Sequence, residues 1–290
     1  MLQFQNKLDP IPMRVLGISD LHFERRGWNE IPVLGESFDV LVCAGDIWEG
    51  EPEKAVQRVT QIARGKPTII VPGNHDFYTS NTGGHTIADV IKLMRGEANR
   101  QNVQAGREVV TILSAENPVC EIDDARFVGL TLWADWTQAG RWMWCTDNET
   151  QWAARARAAA RHPKTAPREY GAIRTERGSW TPYDAVAEHS REKAILLDEL
   201  VSTHEGPTVV VTHYPPLAAC VDEYRGHRLP WWAPAFYASD ILLTMPDGIR
   251  PDLWICGHVH APYHVECGRT RVICNPIEGG YFDPNLIIEI

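Results

Sequence analysis

The chain has 290 residues, of which 44% are hydrophobic, and a formal net charge of -10 at pH 7. This composition supports a globular core and argues against a protein whose whole surface binds nucleic acid. No apolar run approaches the roughly 20 residues that a membrane-spanning helix needs. The seven cysteines are scattered and form no C-x-x-C pair. The N-terminal segment is too polar for a signal peptide. We therefore expect a cytoplasmic protein without membrane contact.

The first part of the chain, residues 14–95, has the pattern of alternating strands, loops and helices. Buried strands are predicted at the apolar runs 15–18, 40–44 and 68–71. A helix is predicted to begin near Pro52, where apolar residues keep helical spacing, and to stop at Gly65. A second helix is predicted over 86–94, ending near Gly96.

The pattern changes from residue 109 onwards. Further short strands are predicted at 109–113, 119–122, 126–132, 208–211, 253–256, 263–266, 270–273 and 286–290. A long helix is expected over 183–202, and residues 162–181 are expected to form a loop. Parallel strands come first and a more antiparallel set comes after them. The fold class is therefore α/β, with two packed mixed β-sheets and helices outside, in a single domain over 1–290.

Five of these strands end directly on potential metal ligands. In chain order, the five strands lead into Asp20-Leu21-His22, Gly45-Asp46, Gly73-Asn74-His75-Asp76, Thr212-His213 and Gly257-His258-Val259-His260. Open α/β sheets build their sites at the carboxyl ends of strands, so these side chains can converge on one spot. Each motif alone is weak, because short motifs often occur by chance. Their joint placement predicts a metal site.

The donor set indicates which metals and how many. Carboxylate, amide and imidazole groups without a thiolate argue against a structural zinc site and favour manganese, iron or catalytic zinc. Seven ligands are too many for one transition ion and suit two ions that share a carboxylate. Two ions about 3.5–4 Å apart can generate a bridging hydroxide and clamp both ends of a displacement at phosphorus.

The ordered motifs D-x-H, G-D, G-N-H-D, T-H and G-H-x-H resemble those of the calcineurin-like metallophosphoesterase superfamily. They span residues 20–260, and the tail motifs Cys274-Asn275-Pro276 and Phe282-Asp283-Pro284 resemble bacterial members. The resemblance implies a four-layer α/β/β/α sandwich and a hydrolase acting on phosphate esters. One position departs from the commonest pattern: Glu49 stands where many members carry Asp or Arg.

The resemblance also implies a role for each residue. Asp20, His22 and His260 would bind the first divalent ion, Asn74, His213 and His258 the second, and Asp46 would bridge both. Manganese is the favoured metal, with iron, zinc and nickel as alternatives. His75 would reach the substrate, stabilise charge on the phosphoryl group and protonate the leaving oxygen. Asp76 would orient His75, or would instead cap the following turn.

A segment rich in tryptophan and arginine, residues 133–181, interrupts the motifs. Eight of the eleven tryptophans lie between 133 and 232, and seven Lys or Arg occur over 155–177 against Glu169 and Glu176. One interpretation is a cap beside the metals, with aromatic faces and guanidinium groups for substrate. The other is a packed subdomain or an interface of a homo-oligomer. In the later loop, Trp231, Trp232 and His227 are predicted to touch substrate.

These features predict a dinuclear metal-dependent phosphoesterase, with phosphodiesterase activity on small or nucleotide-like substrates. A phosphomonoesterase, including a protein phosphatase, is the alternative within the class. The acidic balance argues against a dedicated nuclease, although the cationic insertion leaves a nucleic-acid substrate open. A non-enzymatic scaffold would be expected to have lost ligands, whereas all seven ligand positions and His75 are filled.

Overall fold

The structure is a computed structural model that describes residues 12–26, 32–143 and 149–290. Trp144, part of the predicted insertion, lies outside the described residues. Among the described helices, none is both long enough and apolar enough to cross a membrane.

The first sheet has five strands in the spatial order β13-β1-β2-β3-β4. Their bounds are β1 Arg14–Ile18, β2 Val40–Cys43, β3 Thr68–Ile70, β4 Val110–Ile112 and β13 Ile287–Glu289. Strands β1 to β4 run parallel, and β13 pairs antiparallel with β1. The sheet is therefore mixed, and the carboxyl ends of its parallel strands share one edge.

The second sheet has six strands in the order β11-β12-β10-β9-β6-β5. Their bounds are β5 Val119–Ile122, β6 Ala125–Leu130, β9 Thr208–Thr212, β10 Leu253–Cys256, β11 Tyr263–Cys267 and β12 Thr270–Cys274. The central pairs are parallel and the two outer pairs are hairpins. A separate two-stranded ribbon joins β7 Arg174–Thr175 and β8 Gly178–Ser179.

The two sheets pack face to face because alternate strand residues point to opposite sides. The buried cluster between the sheets contains Val15 and Val42 of the first sheet and Phe127, Val209 and Ile255 of the second. Their neighbours along each strand enter two other clusters, which cover the outer faces beneath the helices. The predicted four-layer α/β/β/α sandwich is confirmed.

The helices flank the sheets and are joined by short helical turns. Their bounds are α1 Phe23–Arg26, α2 Pro52–Ala63, α3 Ile87–Ala105, α4 Glu149–Ala160, α5 Glu169–Ala172, α6 Pro182–Val201, α7 Ala233–Tyr237 and α8 Ile241–Thr244. Helix α6 begins where sequence predicts, since the Thr181 side chain accepts from the Asp184 N–H and Pro182 occupies the first position. The expected loop over 162–181 contains α5 and the β7–β8 ribbon.

Helix α3 is longer than its sequence predicts. It begins at the predicted position, where Thr86 and Asp89 form a capping box. It continues through Gly96 and ends only at Gly106, whose φ of +65° allows the left-handed turn. Glycine in a helix interior costs only about 1 kcal/mol relative to alanine, so Gly96 alone does not end the helix.

Glu192 on α6 is a buried carboxyl group that should make stability depend on pH. Burial, with the nearby Glu188, raises its pKa from 4.5 to about 8, and its Oε2 accepts from the Leu132 N–H. Between these values the folded state binds more protons than the unfolded chain, so the free energy of unfolding falls as pH rises. The slope approaches about 1.4 kcal/mol per pH unit.

We therefore expect Glu192→Gln to flatten this decline, because glutamine keeps the shape and the acceptor but does not titrate. Urea unfolding of both proteins at pH 5, 6.5 and 8 measures the difference. An equal slope for the two proteins would contradict the assignment of this pH dependence to Glu192.

Candidate metal centre

Five strand ends meet at the seam between the two sheets. Strands β1, β2 and β3 of the first sheet deliver Asp20 with His22, Asp46, and Asn74. Strands β9 and β10 of the second sheet deliver His213 and the pair His258 and His260. Within each sheet these strands pair in parallel, so their carboxyl ends face one region. The structure brings all seven sequence-predicted ligands together there.

One group of side chains contains Asp20, His22, Asp46 and His260, whose donor atoms lie within 4.8 Å of one another. The Nε2 atoms of His22 and His260 are 3.1 Å apart. His260 Nε2 lies 3.4 Å from Asp20 Oδ1, and His22 Nε2 lies 3.6 Å from Asp46 Oδ2. Several nitrogen and oxygen atoms with lone pairs thus lie around one point, which is the arrangement that metal-binding sites use.

The second group contains Asp46, His213 and His258, and it meets the first group at Asp46. His213 Nε2 lies 3.3 Å from Asp46 Oδ1 and 3.0 Å from Asn74 Oδ1. Asp46 thus turns one oxygen to each group, Oδ2 to the first and Oδ1 to the second. A carboxylate in this position can bridge two ions.

Two buried polar atoms in these groups have no hydrogen-bond partner among the described residues. They are Asp46 Oδ2 and His258 Nε2. Buried polar atoms are nearly always paired, and an orphaned donor atom at a polar cluster indicates an ion or water. The residues present therefore fit divalent cations held by nitrogen and oxygen donors.

The charges of the two groups are strongly coupled. Burial opposes ionisation of Asp46, yet the rings of His213 and His75 hold the pKa of this carboxyl well below its usual range. Burial likewise opposes charge on His213, but Asp46 raises the pKa of that ring to about 9. A negative charge is thus fixed at the shared position.

The backbone at these strand ends is held in an unusual conformation. Five of the seven residues have left-handed φ values: Asp20 53°, His22 46°, Asp46 54°, His258 72° and His260 52°. Such values are uncommon outside glycine and cluster at functional sites. The turns direct the side chains inward as soon as each strand ends.

Two glycines allow the turns to approach one another. Gly45, with φ +88°, lies so close to Gly73 that a Cβ would strike its backbone. A Cβ on Gly73 would in turn strike the carboxylate of Asp46. These contacts explain why glycine precedes Asp46 in one motif and Asn74 in another.

The rings of two histidines are fixed by partners behind them. His22 Nδ1 lies 2.8 Å from Glu24 Oε1, and His213 Nδ1 lies 2.7 Å from the Ala44 carbonyl oxygen. Each partner accepts the proton on Nδ1. The lone pair of Nε2 is then free to bind a cation at the cluster. Sequence analysis missed Glu24, although its position two residues after His22 could have indicated this contact.

The contacts of Asp76 bear on the two roles predicted for it, orienting His75 or capping the following turn. Its carboxylate accepts backbone N–H groups of Asp46 at 3.0 Å, Ile47 at 2.9 Å, Trp48 at 3.1 Å and Gly73 at 2.8 Å. It therefore fixes the two turns that carry Asp46 and Asn74, and His75 is not among its hydrogen-bond partners. These four N–H groups satisfy the hydrogen-bonding capacity of the carboxylate oxygens.

His75 lies beside the ligands on the wall of a cavity. Its ring meets His22 edge-on at 4.6 Å between centroids and stacks on Tyr78 at 4.2 Å. The nearest carboxylates to Nδ1 are Glu24 at 3.9 Å and Glu49 at 4.0 Å. Burial lowers the pKa of His75 to about 4, so the ring is neutral and retains one N–H to donate.

The cavity has a volume of about 640 Å³ and opens directly over the two ligand groups. Its floor includes Asp46, Asn74, His258 and His260. The rest of the lining includes Trp142, Pro167 and Arg168 of the insertion, Val221, Tyr224, His227, Arg228 and Leu229 of the segment before α7, and Phe236 and Tyr237 of α7 itself. Cationic and aromatic groups therefore face the acidic and imidazole floor.

Comparison with known families decides the identity of this arrangement. The model of the family described as calcineurin-like phosphoesterase matches residues 13–262. The chain belongs to this family. It is a phosphoester hydrolase, and its two ligand groups could hold the dinuclear metal centre that such enzymes typically bind.

One of two similar solved structures supports the fold of this phosphoesterase. Phosphopantetheinyl hydrolase from Mycobacterium tuberculosis is similar, with a TM-score of 0.62 and 17% identity over 96% of each chain. A Staphylococcus aureus protein described as a putative 5'-nucleotidase has a TM-score of 0.47 and 13% identity, covering 91% of this chain and 48% of that chain. None of the curated proteins matches the sequence.

Two of the three residues predicted to touch substrate are packed elsewhere in this phosphoesterase. Trp232 is 4% exposed and packs against Trp136, and Trp231 meets Trp152 at 5.4 Å between ring centroids. Neither is among the residues that line the cavity, whereas His227 is. Both tryptophans join α7 to the insertion, because large aromatic side chains bury the most apolar area there.

The insertion both packs and lines the cavity. Ala156 and Ala160 of α4 belong to a buried cluster with Trp136, Trp232 and Phe236, which holds the insertion against α7. A different part of the insertion, around Trp142 and Arg168, faces the cavity. One part of residues 133–181 therefore packs against α7, and another part faces the cavity.

Arg168 connects the insertion to the G-D motif. Its guanidinium forms an ion pair with Glu49 and lies over the Tyr78 ring, 5.4 Å from its centroid. Glu49, the position that departs from the commonest family pattern, thus has a cationic partner in a segment 119 residues away. Arg168 lines the cavity, and Glu49 Oε2 lies 4.0 Å from His75 Nδ1.

Glu169 is a second carboxyl group that sequence analysis missed. It is 1% exposed, and its Oε2 lies 3.1 Å from the Tyr214 hydroxyl and 3.4 Å from Asn74 Nδ2. Burial raises its pKa to about 8. No sequence motif surrounds it, so only the docking of α5 reveals its place behind a proposed ligand.

Proposed function

We propose that this calcineurin-like phosphoesterase uses two divalent ions and acts on phosphodiesters, with small or nucleotide-like substrates. The observation that carries the proposal is the carboxylate of Asp46, which presents one oxygen to each of two ligand groups. The first ion is assigned to Asp20, His22, Asp46 and His260, and the second to Asp46, Asn74, His213 and His258.

We assign manganese to both sites, with iron, zinc and nickel as competitors. Imidazole, carboxylate and amide donors accept all four, and the absence of thiolate from the assigned ligands disfavours a purely structural zinc site. When bound, such ions supply Lewis-acid chemistry: they polarise the phosphoryl group and activate water at neutral pH.

The protein's own groups complete the reaction. His75 lies on the cavity wall beside the ligand groups, where its N–H can stabilise charge on a phosphoryl oxygen. Once the ring has taken up a proton, it can pass that proton to the leaving oxygen and return to the neutral imidazole. Asp76 keeps the turns of Asp46 and Asn74 in place through four backbone hydrogen bonds. Accurate placement of this kind is a large part of catalysis of phosphoryl transfer.

The size and lining of the cavity favour a diester. A volume of about 640 Å³ suits a drug-sized ligand, and walls rise from both the insertion and the loop before α7. A diester carries organic groups on both sides of phosphorus, and each wall can hold one. Tyr224, Phe236 and Tyr237 offer aromatic faces to a planar group, while Arg168 and Arg228 offer charge to an anionic one.

We assign substrate contact to this wall, including His227. Trp231 and Trp232 act on substrate indirectly, because they support α7 from behind the wall. An insertion that lines the cavity in this way serves as a partial cap over the centre.

A metal-by-substrate screen tests the proposed function. We expect Mn²⁺-loaded enzyme to hydrolyse bis-aryl phosphodiesters and cyclic nucleotides faster than aryl monoesters and phosphopeptides. The same substrates are assayed with Zn²⁺, Fe²⁺, Ni²⁺ and Mg²⁺. A higher kcat/KM for monoesters with every metal would overturn the diester assignment, and metal-independent hydrolysis would overturn the dinuclear one.

A further inference from the structure

A buried carboxyl group of the insertion reaches the back of the metal centre. Glu169 begins helix α5 (Glu169–Ala172), and its Oε2 lies within hydrogen-bond distance of both Asn74 Nδ2 and the Tyr214 hydroxyl. Asn74 Nδ2 also donates to the Tyr78 hydroxyl at 2.9 Å. The opposite atom of the amide, Oδ1, faces His213 Nε2 at 3.0 Å.

The orientation of the Asn74 amide matters because its two ends are chemically opposite. Oδ1 can ligate a cation, whereas the NH₂ group cannot. The Tyr78 hydroxyl can either donate or accept, so it fits both orientations and selects neither. Oε2 of Glu169 accepts from the Tyr214 hydroxyl and from Asn74 Nδ2, so this contact favours the orientation that places Nδ2 at that side.

The segment that carries Glu169 is anchored next to Asn74. The Ala172 carbonyl oxygen accepts from the N–H groups of Thr79 and Ser80, each at 3.1 Å. Ile173 pairs with Tyr78 in an isolated antiparallel bridge. Helix α5 is therefore fixed by backbone contacts to the chain just after Asn74. These contacts hold the Glu169 carboxyl group within reach of the Asn74 amide.

We propose that Glu169 is a positioning residue of the metal centre: it turns Asn74 so that Oδ1 faces His213 and would be available, with His213 and Asp46, to hold the second cation. The inference rests on the proposed dinuclear function and extends it, because it makes the second ion depend on the insertion. The insertion then contributes both Arg168 to the cavity wall and Glu169 to the support of a ligand.

Mn²⁺ binding by the metal-stripped full-length chain tests this role. For Glu169→Ala we expect one of two Mn²⁺ sites to weaken about 10- to 100-fold, the usual effect of losing a group that orients a ligand. Isothermal titration gives the two dissociation constants. Electron paramagnetic resonance reports whether the two ions are coupled, and at two equivalents of Mn²⁺ the variant should show mainly uncoupled ions.

A conservative variant and a matched control separate positioning from general damage. Glu169→Gln keeps an oxygen acceptor and should restore two coupled ions with affinities close to wild type. Glu192→Ala removes another fully buried carboxyl group, one that accepts from the Leu132 backbone and contacts none of the seven assigned ligands. It should lower thermal stability while both Mn²⁺ affinities stay unchanged.

The outcomes distinguish failure of this inference from failure of the proposed function. If wild type binds fewer than two Mn²⁺, the dinuclear proposal fails. If wild type binds two and Glu169→Ala binds two equally well, or if Glu169→Gln is as weak as Glu169→Ala, the positioning role is wrong. Should Glu169→Ala not fold, Glu169→Asp retains a carboxyl group but withdraws its oxygen from Asn74, and unchanged Mn²⁺ binding in that variant would also refute the role.

Discussion

Asp46→Asn is expected to reduce turnover to the background of the assay and to leave at most one tightly bound metal ion per chain. The carboxylate offers one oxygen to each ligand group, 3.3 Å from His213 Nε2 and 3.6 Å from His22 Nε2. An amide keeps one oxygen and places an NH₂ group at the other side, so one group loses its shared ligand. It also removes the negative charge that offsets two divalent ions.

Turnover of a diester and metal content by elemental analysis measure the two effects together. Asp39→Asn is a matched control, since Asp39 precedes the same strand at its opposite end and pairs with Arg14 on the surface. That variant should keep wild-type activity. Near-wild-type rates for Asp46→Asn at saturating metal would refute the shared carboxylate.

His75→Ala is expected to lower kcat by roughly 10²- to 10⁴-fold, the usual loss when an acid–base group is removed. His75 lines the cavity beside the ligands, but its Nδ1 has no hydrogen-bond partner among the described residues. The assigned ligands do not include it, so metal content should remain that of wild type. The loss should appear in the chemical step and not in metal affinity.

Single-turnover kinetics and elemental analysis make this distinction. His162→Ala, which removes an exposed ring of the insertion, should change neither quantity. If the metal content of His75→Ala falls in proportion to its activity, His75 is a ligand and the assignment of roles must change.

The region of the candidate site was predictable from sequence because its residues come immediately after parallel strands. Asp20, Asp46 and Asn74 need only the strand ends of one sheet to meet, and the apolar runs before them mark those ends. The second sheet adds His213 and His258 by the same rule. Parallel pairing places the carboxyl ends of neighbouring strands together regardless of the length of the loops between them. The predicted location of the site therefore did not depend on the structure of the insertion.

The groups that support the ligands were not predictable in the same way. Glu169 reaches Asn74 only because α5 docks against residues 78–80, across 95 positions of sequence. Asp76 follows directly after Asn74 and His75 in the sequence, but its hydrogen bonds to four backbone N–H groups depend on the shape of two turns. Contacts of this kind arise from tertiary packing, which short sequence patterns do not encode.

The left-handed backbone at five ligand positions also limits how this protein can be altered. Each such residue costs about 1–3 kcal/mol, and glycine would adopt the same conformation freely. Glycine in place of His260, whose side chain is 30% exposed, would therefore relieve backbone strain while removing an assigned ligand. Selection for heat resistance alone would act against the centre, so engineering for stability should avoid these turns and improve the helices and outer clusters.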